Sequence, residues 1–170
     1  RDCRRWIDYV LNNINKDAKI ILSGVSMGAA TAMITSGFED LPKNIIGIIA
    51  DCGYTSAKDI IKKVIRDMKL PANILYPFAK LGAKIFGGFD IDETSPIEQV
   101  KKSKIPTIFV HGDTDAFVPM EMSERNYAAC SAENKKYVII KGAGHGLAFP
   151  VGRDGYLKEL RTFFDPIINK

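Results

Sequence analysis

Cysteine is scarce in this sequence. Cys3, Cys52 and Cys130 form an odd, scattered set with no C-x-x-C pair. That argues against a disulfide framework or a zinc site and fits a reducing, cytoplasmic setting. Histidine is scarcer still, with only His111 and His145, so imidazole chemistry has two candidates. No run approaches the roughly 18 apolar residues of a membrane span, and no signal-peptide pattern stands in these residues. Internal repeats and low-complexity segments are absent. The 24 basic and 20 acidic side chains, a net charge of +4, are mostly interleaved. Without a basic stripe and intervening aromatics, nucleic acid is not an expected partner.

What is there is ordinary globular material. The 170 residues are 46% hydrophobic and 26% charged, which suits one folded domain and argues against disorder or coiled coil. The chain opens on Arg1 rather than Met, and its first residues already read as a helix. Cys3, Trp6, Ile7, Val10, Leu11 and Ile14 follow the helical period and predict one buried stripe. The expectation is a chain that begins partway into a larger fold.

Four short, continuously apolar runs follow, at Lys19–Ser23, Ile45–Ala50, Thr107–Val110 and Tyr137–Ile140. Such runs suit strands buried on both faces of a parallel sheet. Helical patterns separate them, at Ala29–Ser36 and at Pro119–Cys130, with Pro119 suited to the first helical position. A last amphipathic helix carries Tyr156, Leu157, Leu160 and Phe164 and is expected to end near Pro166. The alternation implies an α/β layered fold with a parallel sheet core flanked by helices. More than fifty residues between the second and third strands exceed a simple crossover. Ala57–Lys69 reads as a helix with Ile60, Ile61, Val64, Ile65 and Met68 on one face, and Ile74–Phe89 is a second apolar region. Together they predict a short helical cap inserted at about residues 56–95.

Four strand ends deliver polar side chains to one edge of the sheet, where open parallel sheets bind their ligands. Ser26 follows the first strand, Asp51 the second, Asp113 and Asp115 the third, and His145 the fourth. Ser26 lies in Gly24-Val25-Ser26-Met27-Gly28, a G-x-S-x-G between a strand and a helix. A serine on that sharp turn is exposed above the sheet and needs small neighbours, because backbone and helix approach closely. The Met27 N–H, at the positive end of the helix, is a candidate oxyanion donor. A serine hydroxyl needs a base. His145, in the glycine loop Gly142–Gly146, can swing over the sheet edge, whereas His111 reads as packing at a strand end. The base in turn needs a carboxylate, for which Asp115, Asp113 and Asp51 compete. Asp113 is expected to cap its own turn, and Asp51 is kept as second choice.

Gly24–Gly28, the run His111-Gly112-Asp113-Thr114-Asp115-Ala116-Phe117-Val118-Pro119 and Gly144-His145-Gly146 together resemble the α/β-hydrolase superfamily. The segment Ala50–Ser56 is similar to a bacterial serine-hydrolase group described as esterases or prolyl-oligopeptidase-like hydrolases. The resemblance implies Ser26 as nucleophile, His145 as base and Asp115 as acid, in the order Ser…Asp…His. It implies no cofactor and no metal, and a small-molecule ester or related acyl substrate.

The superfamily's sheet usually has eight strands, and this chain matches the last four. Residues 1–170 are therefore expected to be the C-terminal part of one hydrolase domain, without the loop that supplies the second oxyanion amide. The exposed edge of the first strand would then allow pairing into a homo-oligomer. The expected activity is ester hydrolysis through an acyl-enzyme. A peptidase or thioesterase is the alternative, and a non-catalytic binding module on the same fold is the alternative of another class. Among the cap hydrophobics, Ile74, Leu75, Tyr76, Phe78, Phe86 and Phe89 are expected either to line an acyl pocket or to pack the cap's own core.

Overall fold

The four apolar runs become four parallel strands, β1 (Ile20–Val25), β2 (Ile45–Asp51), β3 (Thr107–Gly112) and β4 (Lys135–Ile140). A computed structural model describes residues 2–169, and in it the strands stand in the order β1-β2-β3-β4, so each pairs with its neighbour in sequence. The register runs Ser23↔Ile49, Ala50↔Phe109 and Phe109↔Tyr137. Alternation along a strand then sorts side chains to two faces. Ile48, Ala50 and Phe109 join Ile7, Ala29, Met33 and Val100 in one buried cluster. Ile49, Ile108 and Val110 join Val138, Ile140, Phe163 and Phe164 in another.

Among the described residues eight α-helices complete the layers, namely α1 (Asp2–Asn13), α2 (Met27–Ser36), α3 (Ala57–Asp67), α4 (Ala72–Gly82), α5 (Pro96–Val100), α6 (Met120–Ala129), α7 (Ala148–Val151) and α8 (Arg153–Ile168). A π-helical turn at Ala83–Gly87 extends α4. The connection from β2 to β3 holds α3, α4, the π turn and α5. Ser56 caps α3 by accepting from the Asp59 N–H at 3.0 Å. Only the five-residue α5 acts as the crossover helix proper, packing against α2 and α6 with Val100 buried.

Several details differ from the sequence reading. Of the central strands, β3 is buried throughout and β2 at every position but Ile46, whereas β1 and β4 lie at the ends of the sheet and are half covered. In α1 the stripe narrows to Ile7, with Cys3, Val10 and Leu11 half-buried. Trp6 is exposed, a quarter-turn round the helix from Ile7, and Ile14 is exposed one residue past the end of α1. Pro119 stands one residue ahead of α6 with ψ 136°, outside the helix. Pro166 does not end α8. It forfeits its own N–H, yet the last turn closes through the Asn169 N–H on the Asp165 carbonyl at 3.1 Å.

Candidate active site

The passage from β1 into α2 reverses direction at one residue. Ser26 takes φ 54°, ψ −111°, a region that costs an L-residue about 1–3 kcal/mol. The turn is held from both sides. The Ser26 N–H donates to the Asp51 carbonyl at 2.8 Å, and the Ser26 carbonyl accepts from the Ala30 N–H at 3.0 Å. Gly24 is required by contact, since a Cβ there would stand 2.1 Å from the Gly28 carbonyl carbon. Gly28 is different. A Cβ at that position meets nothing within 4 Å, so close approach explains only the first of the two flanking glycines. Met27 is the first residue of α2, and its N–H therefore has no acceptor four residues back.

The loops after β3 and β4 are tied to each other. The Gly142 N–H donates to Asp113 Oδ1 at 2.6 Å, and the Thr114 N–H donates to the Ala143 carbonyl at 3.2 Å. Asp113 thus anchors the histidine loop instead of capping its own turn as expected. The side-chain turn is made by Asp115, whose Oδ1 accepts from the Phe117 and Val118 N–H groups at 2.9 Å each. Asp115 Oδ2 lies 2.8 Å from His145 Nδ1, and His145 Nε2 lies 3.0 Å from Ser26 Oγ. A carboxylate only accepts, so Nδ1 carries the proton and Nε2 is left to accept from the serine hydroxyl. Asp115 is wholly buried at its side chain, while that of His145 is 29% exposed. The Phe117 ring covers one side of His145, with centroids 4.9 Å apart.

The competing residues have other partners. His111 is fully buried, its Nε2 donating to the Val118 carbonyl at 2.9 Å and its Nδ1 accepting from the Ser123 hydroxyl at 2.8 Å. Its Nε2 is 3.4 Å from Asp115 Oδ2, so it backs the acid and does not reach the serine by a hydrogen bond. Asp51 accepts from the Tyr156 hydroxyl at 3.2 Å, while its Oδ1 is buried with no partner. Burial raises the Asp51 pKa above its ordinary value, opposed by the Tyr156 hydrogen bond and by His111.

Two features escaped the sequence reading. Cys52, with φ 44°, is buried under the site, and its sulfur lies within 4.8 Å of ligand atoms of Asp115 and His145. Its signal in the sequence was only its position one residue past a strand end. Those donors are already engaged with one another and with Ser26, and burial, reinforced by Asp51, pushes the Cys52 thiol up to about 11. The cluster is therefore a packed polar floor, poorly suited to holding a metal. The second feature is a pocket of about 350 Å³ lined by Ser26, Met27, Tyr54, Phe117 and the α3 residues Ile60, Ile61, Val64 and Ile65. None of the cap residues expected to line an acyl pocket does so. Tyr76 is buried within the cap, Leu75 is half-buried, and Ile74, Phe78, Phe86 and Phe89 are exposed. The lining comes from α3, on which α4 packs.

Residues 7–147 match the family described as Serine hydrolase (FSH1). Protein YqkD of Bacillus subtilis is 27% identical over 165 residues, covering 96% of this chain and 53% of that protein. Protein bem46 of Schizosaccharomyces pombe is 26% identical over 165 residues, covering 95% and 49%. The chain thus spans about half the length of these relatives. Among solved structures, the Pyrococcus furiosus esterase Pf2001 superposes with a TM-score of 0.70 at 21% identity, covering 98% of this chain and 61% of the esterase. At that identity the likeness speaks to fold alone, which is the α/β-hydrolase fold.

Gly24→Ala should lose about 3 kcal/mol or more of stability by overpacking, while Gly28→Ala stays close to the parent in urea denaturation. Equal effects of the two would remove the steric account of Gly24. Asp51 has a raised pKa in the folded state. Its contribution to stability is present below the unfolded value of 3.8 and is lost as pH rises through the elevated folded value. Asp51→Asn keeps an acceptor for Tyr156 without ionising. Its melting temperature relative to the parent should therefore climb as pH rises above the unfolded value of 3.8, measured by thermal denaturation. A pH-independent difference would contradict titration of Asp51 in that range.

Proposed function

The chain belongs to the serine hydrolase (FSH1) family, and from that premise we propose that it cleaves carboxylic esters through Ser26, His145 and Asp115. The observation that carries the reading is the continuous pair of hydrogen bonds from Asp115 through His145 to Ser26, at 2.8 and 3.0 Å. Both lie within reach of proton transfer. His145 Nε2 takes the hydroxyl proton as Ser26 Oγ attacks the ester carbon. The carbonyl oxygen becomes an oxyanion beside the Met27 N–H, at the N-terminus of α2, where the helix dipole favours negative charge. Asp115 holds the Nδ1–H and offsets the charge of the imidazolium. His145 then returns the proton to the leaving alcohol oxygen, which breaks the C–O bond and leaves an acyl group on Ser26. Water, deprotonated by the same nitrogen, releases the acid and restores the serine.

The pocket beside Ser26 supports a place for the acyl side of the substrate. Its α3 lining is all aliphatic, with Tyr54 and Phe117 beside it, so it favours an apolar acyl chain. The Asn126 side-chain amide donates to the Tyr54 carbonyl at 3.1 Å and steadies that wall from α6.

Ser26→Ala should lower the turnover of p-nitrophenyl esters by on the order of a millionfold, the scale seen when a triad nucleophile is removed, and should abolish labelling by a fluorophosphonate probe. Undiminished hydrolysis by that variant would sink the nucleophile assignment. Ile61→Trp fills the pocket without touching the triad. It should shift kcat/KM from octanoyl towards acetyl esters by roughly tenfold or more, and an unchanged chain-length preference would place the acyl group elsewhere.

A further inference from the structure

The outward side of α4 is apolar where a solvated helix is ordinarily polar. Ala72 and Tyr76 are buried. At 100° per residue, Ile74, Phe78, Leu81 and Ile85 fall on the opposite side, and each is at least half exposed. The stripe continues through the π turn into Phe86, 91% exposed, and Phe89. It neither lines the Ser26 pocket nor packs the cap.

Charge says what such a face suits. Residues 57–89 hold seven cations and two carboxylates, a larger excess than the +4 of the whole chain. Lys63 is paired with Asp67, and Lys80 with Asp90 and Asp92. Asp59, the other carboxylate, accepts from Thr55 and stands 4.0 Å from Arg125. Lys58, Lys62, Arg66, Lys69 and Lys84 have no ion-pair partner among the described residues. Arg66 and Lys69 flank the exposed Met68, and Lys84 directly precedes Ile85. Apolar side chains bordered by unpaired cations are the composition of a helix that lies on an anionic lipid surface. A second copy of this chain is a poorer occupant, because two-fold pairing through the cap would bring two basic faces together.

We propose that the cap is a peripheral docking face for anionic lipid, through which the enzyme takes its ester substrate from a membrane or micelle surface. The other flank of the same cap is the aliphatic wall of α3 beside Ser26, so the docking face and the pocket are carried by one helical unit. The substrate half of this proposal rests on the esterase reading, whereas surface binding does not.

The experiment therefore uses the full chain carrying Ser26→Ala, sedimented with vesicles of phosphatidylcholine alone or mixed with phosphatidylglycerol. It should pellet with the mixed vesicles and remain in solution with the neutral ones. Ile85→Glu with Phe86→Glu should abolish pelleting. Arg66→Gln, Lys69→Gln and Lys84→Gln together should weaken it about a hundredfold, some fivefold for each cation. All five positions are exposed, so circular dichroism should show an unchanged fold. No pelleting with the mixed vesicles, or pelleting that neither set of substitutions alters, overturns the proposal. So does a dimer in sedimentation equilibrium that Phe86→Glu dissolves, which would give the face to a second copy. Failure of the esterase reading alone would leave vesicle binding intact.

Discussion

The site hangs on one buried carboxylate. Asp115 has no exposed side-chain surface, and three N–H groups converge on it, from Phe117, Val118 and His145. Two of these shape its own loop and the third reaches thirty residues onward into another. The same two oxygens thus decide how β3 ends and which way the imidazole faces. A buried carboxylate without such partners is costly, and Asp51, with one orphaned oxygen, illustrates the contrast from the neighbouring strand. The two carboxylates stand at adjacent strand ends and have opposite surroundings.

Around that centre the fold works by pinning loops to one another. Asp113 holds Gly142, Thr114 holds Ala143, and Ser26 holds the Asp51 carbonyl. His111 spans from β3 to α6 and to its own loop through Ser123 and Val118. None of these bonds carries a proton of the proposed reaction. They fix where the serine, imidazole and carboxylate stand, and a displacement near 1 Å would cost rate heavily.

The strands, their parallel arrangement and the residues at their carboxyl ends were legible because each depends on local pattern. Apolar runs, G-x-S-x-G and a glycine loop around His145 are all short-range signals. What the sequence could not show depends on packing partners distant along the chain. The exposure of Trp6 follows from which flank of α1 meets the sheet. The lining by Ile61 and Val64, in place of Phe78, follows from α3 standing at the pocket. Cys52 looked like an isolated thiol because nothing local announces that the loops bearing Asp115 and His145 fold over it. The glycine pair around Ser26 was half legible, since a motif gives no measure of which neighbour each Cβ would strike.

The coincidence of strand order with chain order has a consequence for how the molecule comes into being. A polypeptide leaving the ribosome N-terminus first can lay each strand against the one already made, with no strand inserted between two others. The serine turn depends on β1, β2 and α2, so it can form early. Its hydrogen-bond partner His145 arrives only when β4 docks and the loop bearing His145 closes against Asp113. In a nascent chain Ser26 therefore stands without the proposed base until β4 is in place, so the proposed activation of the serine waits on the docking of that strand.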